Sequence, residues 1–126
     1  MYKILVVDDE PKIREVIKEY GEFSGYEITE ADDGITAVGL CKLNDYDLII
    51  MDIMMPKLDG YAAAQAIRTL AGRADGRTIP IIALSANVFA EDIEASKAAG
   101  MDAHLSKPLE VSKLIAAISR LYKSRE

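Results

Sequence analysis

The chain predicts an α/β domain, a (βα)5 arrangement around one parallel sheet, and three observations carry that prediction. Short apolar runs alternate five times with amphipathic stretches, the pattern in which helices cross over between parallel strands. The runs Ile4-Leu5-Val6-Val7, Leu48-Ile49-Ile50-Met51 and Ile81-Ile82-Ala83-Leu84 are apolar at consecutive positions, as central strands covered on both faces must be. At 126 residues, 50% of them hydrophobic, the chain has the size of one domain and ample material for its core, so a single domain over residues 1–126 is expected.

The first strand is Ile4 to Val7. Pro11 suits the first turn of the helix after it, whose Ile13, Val16, Ile17 and Tyr20 recur at the spacing of one face before Gly25 ends it. The second strand, about Tyr26 to Glu30, alternates polar and apolar residues, which fits a sheet edge. Asp33-Gly34 opens the second helix, which turns Ala37, Val38, Leu40 and Cys41 to the sheet and closes at Asn44-Asp45. The third strand is Asp47 to Met51, followed by a turn bracketed by Pro56 and Gly60. Asp59 is placed to cap a third helix with Tyr61, Ala64, Ile67 and Leu70 on one face. Ala71 to Thr78 reads as a surface loop before the fourth strand, Ile81 to Leu84. The fourth helix runs from near Ala90 to a stop at Gly100, and a short fifth strand holds Ala103-His104-Leu105. The last helix follows Pro108 with Val111, Leu114, Ile115, Ile118 and Leu121 on one face.

Composition narrows the function classes. The net charge of -6, with scattered basic residues, argues against nucleic-acid binding, which uses a basic stripe or patch. The single Cys41 excludes a disulfide framework or cysteine-rich zinc site and points to a reducing compartment. The N-terminus enters a strand without signal-peptide features, and no apolar run approaches the roughly 20 residues that span a bilayer. A cytoplasmic protein without membrane association, monomeric or weakly dimeric, is expected.

Polar groups end the apolar runs. Asp8-Asp9 follow the first, Asp52 the third, Ser85 the fourth, and Lys107 the fifth. Ligands of open α/β sheets bind outside the carboxyl ends of the strands where strand order reverses, which in the order 2-1-3-4-5 lies between strands 1 and 3. Three carboxylates, a hydroxyl and an ammonium then converge on one edge. Mg²⁺ is a hard ion that takes one or two carboxylates plus phosphate oxygens and keeps some of its water. A carboxylate oxygen can attack phosphorus, and phosphoryl transfer mainly requires positioning and charge neutralisation. The set therefore reads as a Mg²⁺-dependent phosphoryl-accepting site. Taken singly, Asp8-Asp9 could cap the first helix and the other groups could be loop residues, but those roles do not require them to meet.

These residues resemble the receiver domains of two-component response regulators. The resemblance spans nearly the whole chain, through Val6-Val7-Asp8-Asp9-Glu10, Met51-Asp52-Ile53-Met54-Met55-Pro56-Lys57-Leu58-Asp59-Gly60, Ala83-Leu84-Ser85-Ala86 and Ser106-Lys107-Pro108. It implies a flavodoxin-like fold and makes Asp52 the acceptor of a phosphoryl group from a sensor histidine kinase or histidine phosphotransfer protein. It also implies that Asp9, Asp52 and the Met54 backbone carbonyl ligate Mg²⁺, with Asp8 acting through water. Lys107, Ser85 and the Ala86 amide would hold the phosphoryl oxygens, and the Lys107-Pro108 bond would be cis. Such a domain signals; its only catalysis concerns its own phosphorylation and dephosphorylation.

In similar proteins an aromatic residue on the fifth strand moves with the hydroxyl residue and changes the surface of the fourth helix, fifth strand and fifth helix. Here that position is His104 rather than Tyr or Phe. His104 is expected to rotate in the same way, with a pH-sensitive readout because an unperturbed imidazole titrates near about 6.5. Ala83-Leu84-Ser85-Ala86-Asn87 and Ala98-Ala99-Gly100-Met101-Asp102 further resemble receivers that work with hybrid histidine kinases. Two alternatives remain at this stage: a receiver-like interaction module that is never phosphorylated, and an aspartyl-phosphate phosphohydrolase. The latter places a second Asp two residues after its nucleophile, where this chain has Met54.

Overall fold

The computed structural model describes residues 2–55, 58–69, 79–85, 90–107 and 109–125. Its strands are β1 (Lys3–Val7), β2 (Glu27–Ala31), β3 (Leu48–Asp52), β4 (Ile81–Ser85) and β5 (Ala103–Ser106). Among the described residues the helices are α1 (Pro11–Phe23), α2 (Gly34–Leu43), α3 (Gly60–Arg68), α4 (Ala90–Ala98) and α5 (Val111–Arg125). All strand pairs are parallel and the order is β2-β1-β3-β4-β5, the flavodoxin-like topology expected. Leu70, the 71–78 loop, Pro56, Ala86 and Pro108, with the expected cis bond, lie outside the described residues.

Burial follows strand position. Every residue of β3 and β4 is buried, as are Ile4 to Val7 of β1, whereas β2 and β5 are only partly covered. Alternate side chains feed two cores. Leu5, Val7, Ile49, Met51, Ile81 and Ala83 pack with Ala37 and Cys41 of α2 and with Ala63, Ala64 and Ile67 of α3. On the opposite face Ile4, Val6, Leu48, Ile50, Ile82 and Leu84 pack with Ile17 of α1 and with Leu114, Ala117 and Ile118 of α5.

Two helix faces differ from the sequence expectation. In α1 the inward line is Ile13, Ile17 and Gly21, while Val16 and Tyr20 are 37% and 44% exposed. Gly21 fits this line, because a Cβ there would run into the Ile28 side chain of β2. In α5, Ala117 takes the inward position and Ile115 is left exposed. The caps agree with expectation: Asp33 Oδ1 accepts from the Thr36 amide at 2.7 Å and Asp59 Oδ1 from the Ala62 amide at 2.9 Å. Gly25 and Gly100 take φ of 88° and 90°, the left-handed conformation that stops α1 and follows α4.

Candidate phosphoacceptor site

Two adjacent strands end in the same local turn. Asp8 Oδ1 accepts the amide of Glu10 at 2.9 Å and Asp52 Oδ1 accepts the amide of Met54 at 3.1 Å, so each Asp bonds the backbone two residues on. Val7 pairs with Met51 in the ladder, which puts the two aspartates side by side. With each Oδ1 held by its own turn, each Oδ2 faces Lys107. Its Nζ lies 3.1 Å from Asp8 Oδ2, 3.3 Å from Asp52 Oδ2 and 3.1 Å from Glu10 Oε1. The Lys107 amide donates to the Ser85 carbonyl at 2.7 Å, which ties the end of β5 to that of β4. Capping of α1 is not the role of Asp8, whose Oδ1 accepts the Glu10 amide, and the N-cap residue Glu10 makes no side-chain capping bond.

Asp8, Asp52 and Ser85 are buried, and Asp9 and Glu10 are exposed at the mouth. Burial pushes the Asp52 carboxyl up to about 6, and the Asp8 charge adds to that rise; the Met54 amide and Lys107 oppose it. Burial likewise raises Asp8 against the Glu10 amide and Lys107. For Lys107 burial works the other way, but the bonds to Asp8 and Glu10 and the charges of Asp8 and Asp52 outweigh it, so its ammonium is held above the ordinary lysine value. The cation is thus fixed in its charged form between acids that pay for burial.

A hard cation fits this donor set. Carboxylate oxygens of Asp8, Asp9 and Glu10 lie within 4.8 Å of one another, and the only cationic neighbour of the buried Asp8 Oδ2 among the described residues is Lys107. All are oxygen donors, as Mg²⁺ requires. Sequence reasoning missed Glu10, although it follows directly on Asp8-Asp9. It also missed the contact of Arg14, whose Nη1 donates to the Asp8 carbonyl at 2.7 Å and whose spacing on α1 carries no chemical signal by itself.

The structure brings Asp8, Asp52 and Lys107 together and sets Asp9 beside Asp8. Ser85 closes β4, paired with Ser106 and one residue beyond the Asp52–Leu84 pair. Met54 is 71% exposed. His104 sits on β5 with Nδ1 3.1 Å from Oγ of Ser96 on α4, and Ser96 is buried. Cys41 is buried, as its helix face implied.

A parallel sheet whose switch point gathers acids around one lysine is the arrangement expected of a signalling domain that accepts phosphoryl groups. The response regulator receiver domain family matches residues 4–119, and the chain belongs to that family; it is a receiver domain of two-component phosphorelay signalling. The sensor histidine kinase RcsC of Escherichia coli K12 is 39% identical over 98% of this chain, and the response regulator MprA of Mycobacterium sp. strain KMS is 34% identical over 96%. The chain spans 13% of RcsC and 50% of MprA. Among solved structures, chemotaxis protein CheY4 of Vibrio cholerae superposes with a TM-score of 0.89 at 30% identity, covering 96% of this chain and 98% of that one. The receiver domain of sensor histidine kinase PA1611 from Pseudomonas aeruginosa gives 0.85 at 39% identity, covering 95% and 96%, and holds a magnesium ion in its active-site cleft.

Proposed function

We propose that Asp52 accepts the phosphoryl group from the phosphohistidine of a sensor histidine kinase or histidine phosphotransfer protein. The observation that carries this is the Lys107 ammonium set between the Oδ2 atoms of Asp8 and Asp52. An Asp52 oxygen forms the new O–P bond as the histidine N–P bond breaks, and the freed imidazole keeps the electron pair and takes up a proton. Lys107 neutralises charge on the transferring oxygens, with the Ser85 hydroxyl and the Ala86 amide on the others.

Asp9, Asp52 and the Met54 carbonyl would hold Mg²⁺, with Asp8 acting through water. The ion supplies further charge neutralisation and orients the phosphoryl oxygens. The only catalysis assigned to the chain is that of its own phosphorylation and dephosphorylation. The mark is read through α4, β5 and α5, with His104 moving as Ser85 is drawn to the phosphoryl group. One domain covers residues 1–126 and works in the cytoplasm as a monomer or weak dimer, which the lone buried Cys41 and acidic surface fit.

Incubation with a small acyl phosphate and Mg²⁺, followed by mass spectrometry, tests the reading. One phosphoryl group is expected on the wild type and none on Asp52→Asn. A group that survives that substitution would sink the assignment, no group at all would favour an unphosphorylated interaction module, and many turnovers would point to a phosphohydrolase.

A further inference from the structure

The peptide joining Asp8 to Asp9 is held at its carbonyl, and the peptide before it at its amide. The Asp8 amide donates to the Ala31 carbonyl at 3.1 Å, and Arg14 Nη1 donates to the Asp8 carbonyl at 2.7 Å. Arg14 is itself braced, because its Nε lies 3.2 Å from Glu30 Oε1, and Lys18 Nζ lies 3.8 Å from the other oxygen of Glu30. The Arg14 side chain is only 18% exposed.

This arrangement matters for Asp9 more than for Asp8. The Asp8 side chain has its own restraints, the Glu10 amide and Lys107. Asp9 is exposed, and its direction depends on the plane of the peptide that precedes it. A planar guanidinium can bond a carbonyl with one nitrogen and a carboxylate with another, which an ammonium cannot do at the same two positions.

We infer that Arg14, braced by Glu30, is a positioning residue that sets the Asp8-Asp9 peptide so that the Asp9 carboxylate is aimed to bind the metal ion. The inference rests on the proposed Mg²⁺ site. It makes a prediction of unusual sign. If Arg14 acted only through its charge, removing a cation bonded to the Asp8 carbonyl would tighten Mg²⁺ binding at the neighbouring carboxylates. As a positioning residue, its removal weakens binding, and partners that orient metal ligands typically cost about 10- to 100-fold when lost.

Mg²⁺ alone is titrated into isotopically labelled full-length wild type, Arg14→Met, Arg14→Lys and Asp9→Asn, followed by amide NMR shifts. Half-saturation is expected at about tenfold higher Mg²⁺ in Arg14→Met, in line with the loss of such a partner, and at an intermediate concentration in Arg14→Lys, which keeps the charge but loses the fork. Phosphorylation by the acyl phosphate should fall more at limiting than at saturating Mg²⁺. Unchanged or tighter Mg²⁺ binding in Arg14→Met overturns the inference while leaving the metal site intact. Wild type that shows no saturable binding sensitive to Asp9→Asn overturns the metal site and this inference together. If Arg14→Met does not fold, Arg14→Lys decides, since wild-type affinity there means the fork is not needed.

Discussion

The β1–β3 edge of the sheet and the contact between β5 and α4 hold their polar groups by different means. At β1–β3 the backbone does the holding, through two identical turns that each commit one carboxylate oxygen and present the other to Lys107. At β5–α4 the observed link is between two side chains, Ser96 Oγ and His104 Nδ1, on a strand that is only partly buried. The first region can keep its geometry through a change of charge, because the restraining atoms are main chain. The second can exchange partners by one rotamer change. Backbone-held and side-chain-held polar groups therefore occupy different parts of one sheet.

Lys107→Met strikes the rigid region hardest. It leaves Asp8 and Asp52 buried without their cation, and removal of one partner from a buried pair costs about 3 kcal/mol or more. Chemical denaturation at neutral pH should show a loss of that size, smaller at low pH where both acids are protonated.

Asp52→Asn should act in the opposite direction at neutral pH. A carboxyl at 3.8 in the unfolded chain and about 6 in the folded one binds its proton more tightly when folded. Its contribution to stability is present below about 4 and is lost as pH rises through about 6. The loss amounts to roughly 3 kcal/mol, so Asp52→Asn should be more stable than wild type at neutral pH by up to that amount. A stability profile without added metal should fall between about pH 4 and pH 7 in the wild type and flatten in the variant. Equal slopes would mean that Asp52 is not the group being desolvated.

The phosphorylation rate at limiting Mg²⁺ should rise with pH through about 6, since only the ionised Asp52 is a nucleophile. Added Mg²⁺ should shift that midpoint downward, because it favours the carboxylate. A midpoint indifferent to Mg²⁺ would separate the metal from Asp52.

Ser96→Ala gives the smallest effect and sharpens the contrast between the regions. Loss of one hydrogen bond should cost about 1 kcal/mol in stability. Acyl-phosphate labelling of Asp52 should proceed at the wild-type rate. A variant that also lost phosphorylation would show that the two regions are not separable.

The sequence revealed the site through a pattern that depends on topology alone: a polar group at the end of each apolar run, with parallel order fixing which ends meet. The convergence of Asp8, Asp52 and Lys107 followed from that once the doubly-wound order was applied, and the caps at Asp33 and Asp59 from their places before helical runs. The α1 face was misread because Val16 and Tyr20 share the helical period with Ile13 and Ile17. The close approach of Gly21 to Ile28 on β2 goes with the line of Ile13 and Ile17. Glu10 and the Arg14–Glu30 pair were missed for a related reason, since the partners stand 97 and 16 residues apart. Ser96 could not be paired with His104 before the distance from α4 to β5 was known.

The bond from Lys107 back to Glu10 joins residues 97 positions apart, and the groups around it come from segments separated by most of the chain. A fragment that lacks either β1 or β5 cannot assemble them. A truncated or half-folded chain would hold acids without their cation, or a cation without its acids. Competence to receive a phosphoryl group would therefore arise only when the last strand has docked, and labelling during refolding would report completion of the fold.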